Sequence, residues 1–252
     1  MSEQRARSSG QDSIVEVPTS TLKGNHAYDV LRREIVSCRM MPGTRFTEAE
    51  LMDRLELGKA SCRIALQRLI QDGFVMSMPR HGYRVVPITV KDVDEVFALR
   101  SVLEPLAARG AAGRVNRALL ERLEQACRVK LHTDMGNQID FFLEANRSFH
   151  MAIAEASGNQ RLVRTLSGLM DEMTRLVALG FGMQGVRPNI ENDHTLLIEH
   201  LSAGEADAAA EVARRHVETF RTMTMEKVIA SLKDSAAVVP VGPAARAMGD
   251  EL

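Results

Sequence analysis

At 252 residues with 45% hydrophobic and 26% charged side chains, the chain has the composition of a globular protein and enough length for two domains of modest size. The three cysteines, Cys38, Cys62 and Cys127, are far apart, so neither a disulfide framework nor a thiolate zinc site is predicted. No N-terminal signal and no apolar run near the roughly 20 residues of a membrane span is present, which predicts a cytoplasmic protein with no membrane association.

The N-terminal third is predicted to be a small DNA-binding module. Residues 1–22 are polar and rich in Ser, and we expect a disordered tail there. Hydrophobic periodicity then predicts helices and strands in chain order: helices over 26–38, 47–55 and 59–71, and strands over 74–78 and 83–86. Thr47 and Glu50 form a capping box at the start of the second helix. Three helices followed by a hairpin are typical of a winged helix-turn-helix, assigned to residues 23–87.

Everything after Pro87 is predicted to be helical. Helices are expected near 89–113, 117–132, 137–156, 159–181, 189–203 and 205–232, separated by Gly-containing turns. The predicted fold class is therefore mainly α, with an all-α helical bundle over 88–232 and a disordered C-terminal tail over 233–252.

The charge distribution agrees with a DNA-binding module. The formal net charge is −1, but residues 23–86 contain eleven Lys and Arg against seven Asp and Glu, which is +4 and leaves −5 for the rest. Chance asymmetry among solvated side chains is the alternative explanation.

The third helix of the module is predicted to enter the major groove, because its first residues then reach base edges. Arg63 is the strongest candidate for a base or phosphate contact. The full set of predicted DNA contacts is Arg45, Lys59, Ser61, Arg63, Arg68, Arg80 and His81. Each of them could instead be an ordinary solvated surface residue.

The order of residues in this module resembles the GntR family of bacterial regulators. The matching residues are Met41–Leu51, Arg63, Ala65–Leu66, Arg68–Leu69, Asp72–Val75 and His81–Tyr83. The chain departs from the family at Gly58-Lys59-Ala60, where serine, arginine and threonine are usual, and at Ile64, where an acidic residue is common. Lys59 cannot offer a guanidinium fork, and Ala60 has no hydroxyl for a phosphate. An unusual operator and weaker binding are both compatible with this change.

Three of the seven histidines suggest a metal site in the helical domain. His150, His194 and His216 fall on three different predicted helices, and Asn146 lies one helical turn before His150. Imidazoles from separate helices with an oxygen donor can hold a divalent transition ion inside a bundle. Spacing alone leaves this open, because helix pairing cannot be read from the sequence.

The helical domain resembles the FCD effector domain of the FadR branch of the GntR family. The matching motifs are Leu99–Ala108, Asn146–His150, Glu155–Asn159, Asp193–Ile198, Gly204–Ala209 and His216. The resemblance implies that Asn146, His150, His194 and His216 bind a divalent transition metal, zinc or nickel, with the neutral Asn146 replacing a more usual carboxylate. It also implies that Arg100 binds an effector carboxylate. A surface ion pair between Arg100 and Glu104 is the alternative use of that arginine.

These observations predict a DNA-binding transcription regulator and no enzyme. We expect a homodimer on a double-stranded operator, with repression relieved by a small carboxylate effector bound at or near the metal. Two alternatives remain at this point: an architectural DNA binder without an effector, and a metal-dependent hydrolase that uses the open coordination site.

Overall fold

The computed structural model describes residues 19–128, 135–182 and 191–234. The described chain forms two compact units. The first contains the described residues up to Arg32 together with Arg45–Arg84, and the second contains Arg33–Thr44 and the described residues from Val85 onward. Most of each predicted tail lies outside the described residues. The same is true of the end of the helix predicted over 117–132 and of the start of the helix predicted over 189–203.

The first unit has the predicted helices and hairpin with one additional strand. Its elements in chain order are α1 (Thr19–Val36), β1 (Arg45–Phe46), α2 (Glu48–Arg54), α3 (Lys59–Gln71), β2 (Val75–Met78) and β3 (Gly82–Val85). Helix α1 begins at Thr19, so the last four residues of the predicted disordered tail, 19–22, are helical. Strand β1 was not predicted, because two residues are too short for a periodic signal.

Local sequence signals account for the helices of this unit. The Thr47 side chain accepts a hydrogen bond from the Glu50 amide while the Glu50 carboxylate accepts one from the Thr47 amide, which confirms the capping box. Helix α3 buries one face at spacings of three and four residues, formed by Cys62, Ala65, Leu66 and Leu69.

The small sheet has the strand order β1-β3-β2. β1 pairs antiparallel with β3, so that Phe46 lies opposite Tyr83. Gly82 has a φ of 78°, and a Cβ atom there would lie 2.5 Å from the Phe46 carbonyl oxygen. Glycine is therefore required where β3 approaches β1. This arrangement completes a winged helix-turn-helix.

The second unit is helical throughout its described part. Its elements after the linker are α4 (Val90–Ala111), α5 (Arg117–Arg128), α6 (Met135–Ala156), α7 (Gln160–Val177), a π-helical turn (Ala178–Gly182), α8 (Glu191–Ala203) and α9 (Ala206–Asp234). A capping box of Thr89 and Asp92 starts α4. These bounds agree with the predicted helices to within a few residues wherever the structure describes them.

Helices α4 and α9 pack along each other. Helices α6 and α7 pack on α4, α8 packs on α9, and α5 packs on α6 and α8. Aromatic and aliphatic side chains such as Phe97, Phe149, Leu166 and Phe220 fill the core. Polar side chains are also buried in it, and they form the site described below. Among the described helices, none is both long enough and apolar enough to cross a membrane.

Candidate functional site

Three histidines from three helices meet inside the second unit. His150 lies on α6, His194 on α8 and His216 on α9, and their side chains are 3%, 0% and 1% exposed. The ring centroids are 5.4 Å apart for His150 and His194, 5.3 Å for His150 and His216, and 4.9 Å for His194 and His216. One nitrogen of each ring lies within 4.8 Å of the others, which is a spacing that a single metal ion can bridge.

The inward-facing atoms of this cluster lack hydrogen-bond partners in the described structure. They are the Nε2 atoms of His150, His194 and His216, and both amide atoms of Asn146, which is fully buried one turn before His150. A buried polar atom without a partner costs about 1 to 3 kcal/mol, so bound water or a ligand at these atoms would be stabilising. Three imidazole nitrogens and an amide oxygen suit a divalent transition ion.

The opposite nitrogen of each imidazole faces a carboxylate. Nδ1 of His150 lies 2.9 Å from Oε2 of Glu104, and Nδ1 of His194 lies 2.5 Å from Oε2 of Glu124. Nδ1 of His216 is 3.5 Å from Oδ2 of Asp193, which is an ion-pair distance and longer than a good hydrogen bond. For His150 and His194, the carboxylate at Nδ1 fixes the ring so that Nε2 remains available to a metal. Nδ1 of His216 has no hydrogen-bond partner among the described residues.

Burial favours the neutral form of two of the three imidazole rings, the form that can bind a metal. Burial lowers the pKa of His194, and it lowers the pKa of His216 to about 3, with the nearby carboxylates offsetting the effect only in part. Burial alone would raise the pKa of Glu104, but the charge of Arg100 and the contact with His150 outweigh it and hold that pKa below its usual range. Glu104 is therefore a carboxylate anion within the buried cluster.

Arg100 and Glu104 form an ion pair, but it lies in the core and not on a helix surface. Nε of Arg100 is 2.5 Å from Oε1 of Glu104, and the arginine side chain is fully buried. The guanidinium lies over the ring of Phe97 at 4.9 Å from its centroid. Among the described residues, none accepts a hydrogen bond from Nη1 or Nη2 of Arg100. The pair thus leaves the forked end of the arginine available to an anion.

A small cavity of about 10 Å³, the space of a single water molecule, adjoins the cluster. Glu104 and His150 form its polar wall, and the remaining lining is aliphatic: Ala107, Ala108, Ile153, Leu166, Leu197 and Ala213. The lining is therefore polar on one side and apolar on the other.

Cys127 lies close to the same cluster, which the sequence did not predict. Its thiol, the Glu124 carboxylate and an imidazole nitrogen of His194 lie within 4.8 Å of one another, and all three residues are buried. Because Glu124 already binds Nδ1 of His194, this trio belongs to the surroundings of the histidine cluster.

The predicted DNA-reading helix is exposed at its first turn. Lys59 and Arg63 are exposed on α3, and so are Arg45 on β1 and the hairpin residues Arg80 and His81. Helix α3 starts at the N-cap Gly58, which makes no side-chain capping hydrogen bond. Its first amide groups can therefore bind a phosphate oxygen. Nε of Arg63 is 3.2 Å from a carboxylate oxygen of Glu48, in a contact that solvent reaches.

Two predicted DNA contacts have other surroundings in the structure. Ser61 is only 4% exposed, so its hydroxyl faces the interior of the module. Arg68 stacks on the ring of Tyr28 at 3.7 Å and donates to the side-chain oxygen of Asn25 at 2.8 Å. Arg68 thereby joins α3 to α1, and its guanidinium is occupied within the module.

Sequence reasoning missed the carboxylates around the cluster. Glu124 lies 70 residues before His194, and no motif links the two. Asp193 adjoins His194 in sequence but faces His216, so the Asp-His dipeptide would have suggested the wrong pair. Glu104 appeared in the sequence only as a partner of Arg100, and its contact with His150 depends on how α4 packs against α6.

A winged helix-turn-helix joined to a helical domain with a buried polar cluster is the architecture of a DNA-binding transcription regulator. Two family models match the chain: "Bacterial regulatory proteins, gntR family" over residues 23–85 and "FCD domain" over residues 95–219. The chain therefore belongs to the GntR family of bacterial regulators and has an FCD domain.

Known proteins similar to this chain are regulators. The HTH-type transcriptional repressor RspR of Escherichia coli is 25% identical over 191 residues, which cover 76% of this chain and 84% of the relative. The "Probable D-xylose utilization operon transcriptional repressor" of Paenarthrobacter nicotinovorans is 25% identical over 82% of this chain and 90% of its own length. The solved structure of McbR/YncC from E. coli shares the fold, with a TM-score of 0.66 at 20% identity over 81% of this chain and 97% of that chain.

Proposed function

We propose that this regulator is a homodimeric repressor whose operator affinity is controlled by a small carboxylate effector bound beside a divalent metal ion. The DNA-reading part is the module over 23–87, with α3 in the major groove, and the effector part is the helical domain over 88–232. The observation that carries the proposal is that one nitrogen from each of three buried imidazoles lies within 4.8 Å of the others, with Asn146 buried one helical turn before His150.

The metal is zinc or nickel, because both accept imidazole nitrogens and an oxygen donor. His150, His194 and His216 would each contribute Nε2, and Asn146 would contribute its amide oxygen. Four protein ligands without a charge leave the ion with its full positive charge, which attracts an anion to the remaining coordination position. A carboxylate there would complete the site.

Arg100 supports a carboxylate as the effector. Its buried guanidinium keeps Nη1 and Nη2 without a hydrogen-bond acceptor in the described residues, and two parallel donors match the two oxygens of a carboxylate. The aliphatic lining of the adjoining cavity favours a short apolar portion on the same molecule. We therefore propose a compact carboxylate with a small hydrophobic group.

The exposed face of α4 supports a homodimer. Leu99, Val102 and Leu106 follow one another at spacings of three and four residues and are 52%, 64% and 50% exposed. An antiparallel pairing of two α4 helices centred on Val102 brings Glu95 of each copy close to Arg109 of the other, since both lie seven residues from the centre. Apolar contacts flanked by opposite charges are typical of such an interface.

The exposed first turn of α3 supports DNA reading. Lys59 and Arg63 project from it, and Arg45, Arg80 and His81 add positive or titratable groups on the strands and the hairpin. We restrict the proposed contacts to these five residues, because Ser61 is buried and Arg68 is bound to Asn25. Repression is favoured over activation by the repressor names of the relatives described above.

The decisive test compares the wild type with His150→Ala, both purified without chelator. We expect about one zinc or nickel ion for each wild-type chain by mass spectrometry, and almost none for the variant. At a free metal concentration 100 times the dissociation constant, the metal should stabilise the wild type by about 2.7 kcal/mol, and the variant should lose this stabilisation.

DNA binding separates the proposal from its alternatives. The His150→Ala variant should still bind DNA in a salt-sensitive manner, because the module is intact. A wild type with no bound metal would refute the site and favour an architectural DNA binder. Equal metal content in the wild type and the variant would likewise refute the assignment of His150.

A further inference from the structure

Glu104 joins the two ligand-binding groups of the helical domain. One oxygen, Oε1, lies 2.5 Å from Nε of Arg100, and the other, Oε2, lies 2.9 Å from Nδ1 of His150. All three side chains are at least 95% buried, so solvent does not compete for these contacts. A single carboxylate therefore fixes the position of the arginine on α4 and of the imidazole on α6.

Arg100 and His150 each have side-chain nitrogen atoms that Glu104 does not contact. Nη1 and Nη2 of Arg100 and Nε2 of His150 have no hydrogen-bond partner among the residues that the structure describes. The three residues form a continuous row with an anion-binding end at Arg100, a metal-binding end at His150, and Glu104 between them. A ligand that orders Arg100 or His150 therefore also orders Glu104, and Glu104 in turn orders the other of the two side chains.

A second arginine, glutamate and histidine are arranged in the same way, but the surroundings of the arginine differ. Oε1 of Glu124 lies 2.7 Å from Nε of Arg128, and Oε2 of Glu124 lies 2.5 Å from Nδ1 of His194. Here the arginine side chain is 42% exposed, and its Nη2 donates to the Thr195 hydroxyl at 2.9 Å. The Arg128 row supports a metal ligand in the same way, but it does not end in a buried, open fork.

We infer that Glu104 is a positioning residue that couples carboxylate binding at Arg100 to metal binding at His150, so that each ligand increases the affinity for the other. The inference rests on the proposed metal and carboxylate site. A metal on Nε2 orders the imidazole and thereby Glu104, which in turn holds the arginine fork in its binding position. The anion then binds without the entropic cost of ordering that fork. Reciprocity requires the anion to raise metal affinity by the same factor.

The test measures zinc affinity with and without acetate as the carboxylate probe. Zinc is titrated against a competing chelating dye in saturating sodium acetate and in sodium nitrate of equal ionic strength. The ratio of the two zinc affinities is the acetate effect. For the wild-type dimer we expect an acetate effect of about fivefold or more.

Two isosteric variants isolate the contribution of Glu104. Glu104→Gln and Glu124→Gln each remove one negative charge and one carboxylate from a histidine, and each should lower zinc affinity by about 10- to 100-fold. Glutamine replaces one carboxylate oxygen with an NH2 group, so at position 104 one of the two donors, Arg100 Nε or His150 Nδ1, faces another donor. We expect Glu124→Gln to keep the wild-type acetate effect within about twofold and Glu104→Gln to lose most of it. Direct attraction between zinc and acetate is common to both variants and cancels in the comparison.

Arg100→Lys tests the same row without changing charge, and it decides the question if Glu104→Gln does not fold. Lysine can bind Glu104 but cannot present two parallel donors. Zinc affinity without acetate should stay within about threefold of the wild type, while most of the acetate effect is lost and only the direct attraction between zinc and acetate remains.

Four outcomes would overturn the inference, and each identifies a different assumption as wrong. Equal acetate effects in Glu104→Gln and Glu124→Gln would show that Glu104 carries no coupling. An acetate effect retained in Arg100→Lys would exclude the arginine fork. A wild type that binds zinc with no acetate effect would leave the metal site intact but remove the coupling. A wild type that binds no zinc would refute the proposed function and the inference together.

Discussion

The hydroxyl group of Tyr28 on α1 donates a hydrogen bond of 2.6 Å to the carboxylate of Asp72, the residue that caps the C-terminus of α3. The guanidinium of Arg68 stacks on the ring of the same tyrosine. Two contacts therefore attach the predicted DNA-reading helix to α1, one at its last turn and one at its end. The orientation of that helix depends on a side chain outside the helix-turn-helix itself.

Removing this hydroxyl should destabilise the module. Tyr28→Phe keeps the ring under Arg68 but loses the hydrogen bond to Asp72, and we expect a loss of about 1 to 2 kcal/mol in the free energy of unfolding. The chain has no Trp and only two Tyr, Tyr28 and Tyr83, so tyrosine fluorescence during urea unfolding reports on this module alone. Unchanged stability would mean that the hydrogen bond is not formed in solution.

The same variant should change the alkaline pH dependence. Burial, together with the hydrogen bond to Asp72, raises the pKa of Tyr28 to about 12, whereas an unfolded tyrosine ionises near 10. Between pH 10 and 12 the unfolded chain releases the proton while the folded chain retains it, so stability contributed by Tyr28 falls as the pH rises. The stability difference between the wild type and Tyr28→Phe should therefore shrink over this range, and a constant difference would contradict the pKa shift.

Arg63 should be the most sensitive residue for operator binding. Arg63→Ala removes an exposed guanidinium at the start of α3, and we expect a loss of about 1 to 3 kcal/mol in operator affinity with effector affinity unchanged. Arg214→Ala is the matched control, since it removes the same charge from an exposed position on α9. Fluorescence anisotropy with labelled operator DNA measures both variants. Equal losses would indicate a general charge effect and would place the reading helix elsewhere.

Asn146 should set the strength of metal binding. Asn146→Asp replaces the neutral amide with a charged oxygen ligand, so zinc affinity should rise by about tenfold, whereas Asn146→Ala should lower it. Without metal, the buried carboxylate of the Asp variant has no partner, and its melting temperature should fall below that of the wild type. Added zinc should reverse this order. The assignment of Asn146 as a ligand fails if the Asp variant binds zinc no more tightly than the Ala variant.

Val102 should control dimerisation. Val102→Glu places two like charges against each other at the centre of the proposed α4 pairing, and the dimer should dissociate at least about 100-fold more readily. Phe141→Glu, at another exposed apolar position on α6, is the control and should remain dimeric. Light scattering coupled to size-exclusion chromatography distinguishes the two states. A dimeric Val102→Glu variant would move the interface away from this face.

Local signals in the sequence predicted most of the fold. Hydrophobic periodicity, the capping box at Thr47 and glycine-containing turns depend on residues three or four positions apart, and such patterns survive in any tertiary context. They gave the helices of both units where the structure describes them. They missed β1, whose two residues are held by pairing with β3, and the start of α1 at Thr19.

For the functional residues too, some properties follow from the sequence alone and others depend on the tertiary structure. The sequence determined which side chains can bind metal or anion and which helices carry them, because residue type and helical spacing are properties of the chain alone. Only the tertiary structure decided that the three histidines meet, that Glu104 contacts both Arg100 and His150, and that Ser61 is buried. Those outcomes depend on the rotation and depth at which distant helices pack, and shape complementarity across the whole core sets both.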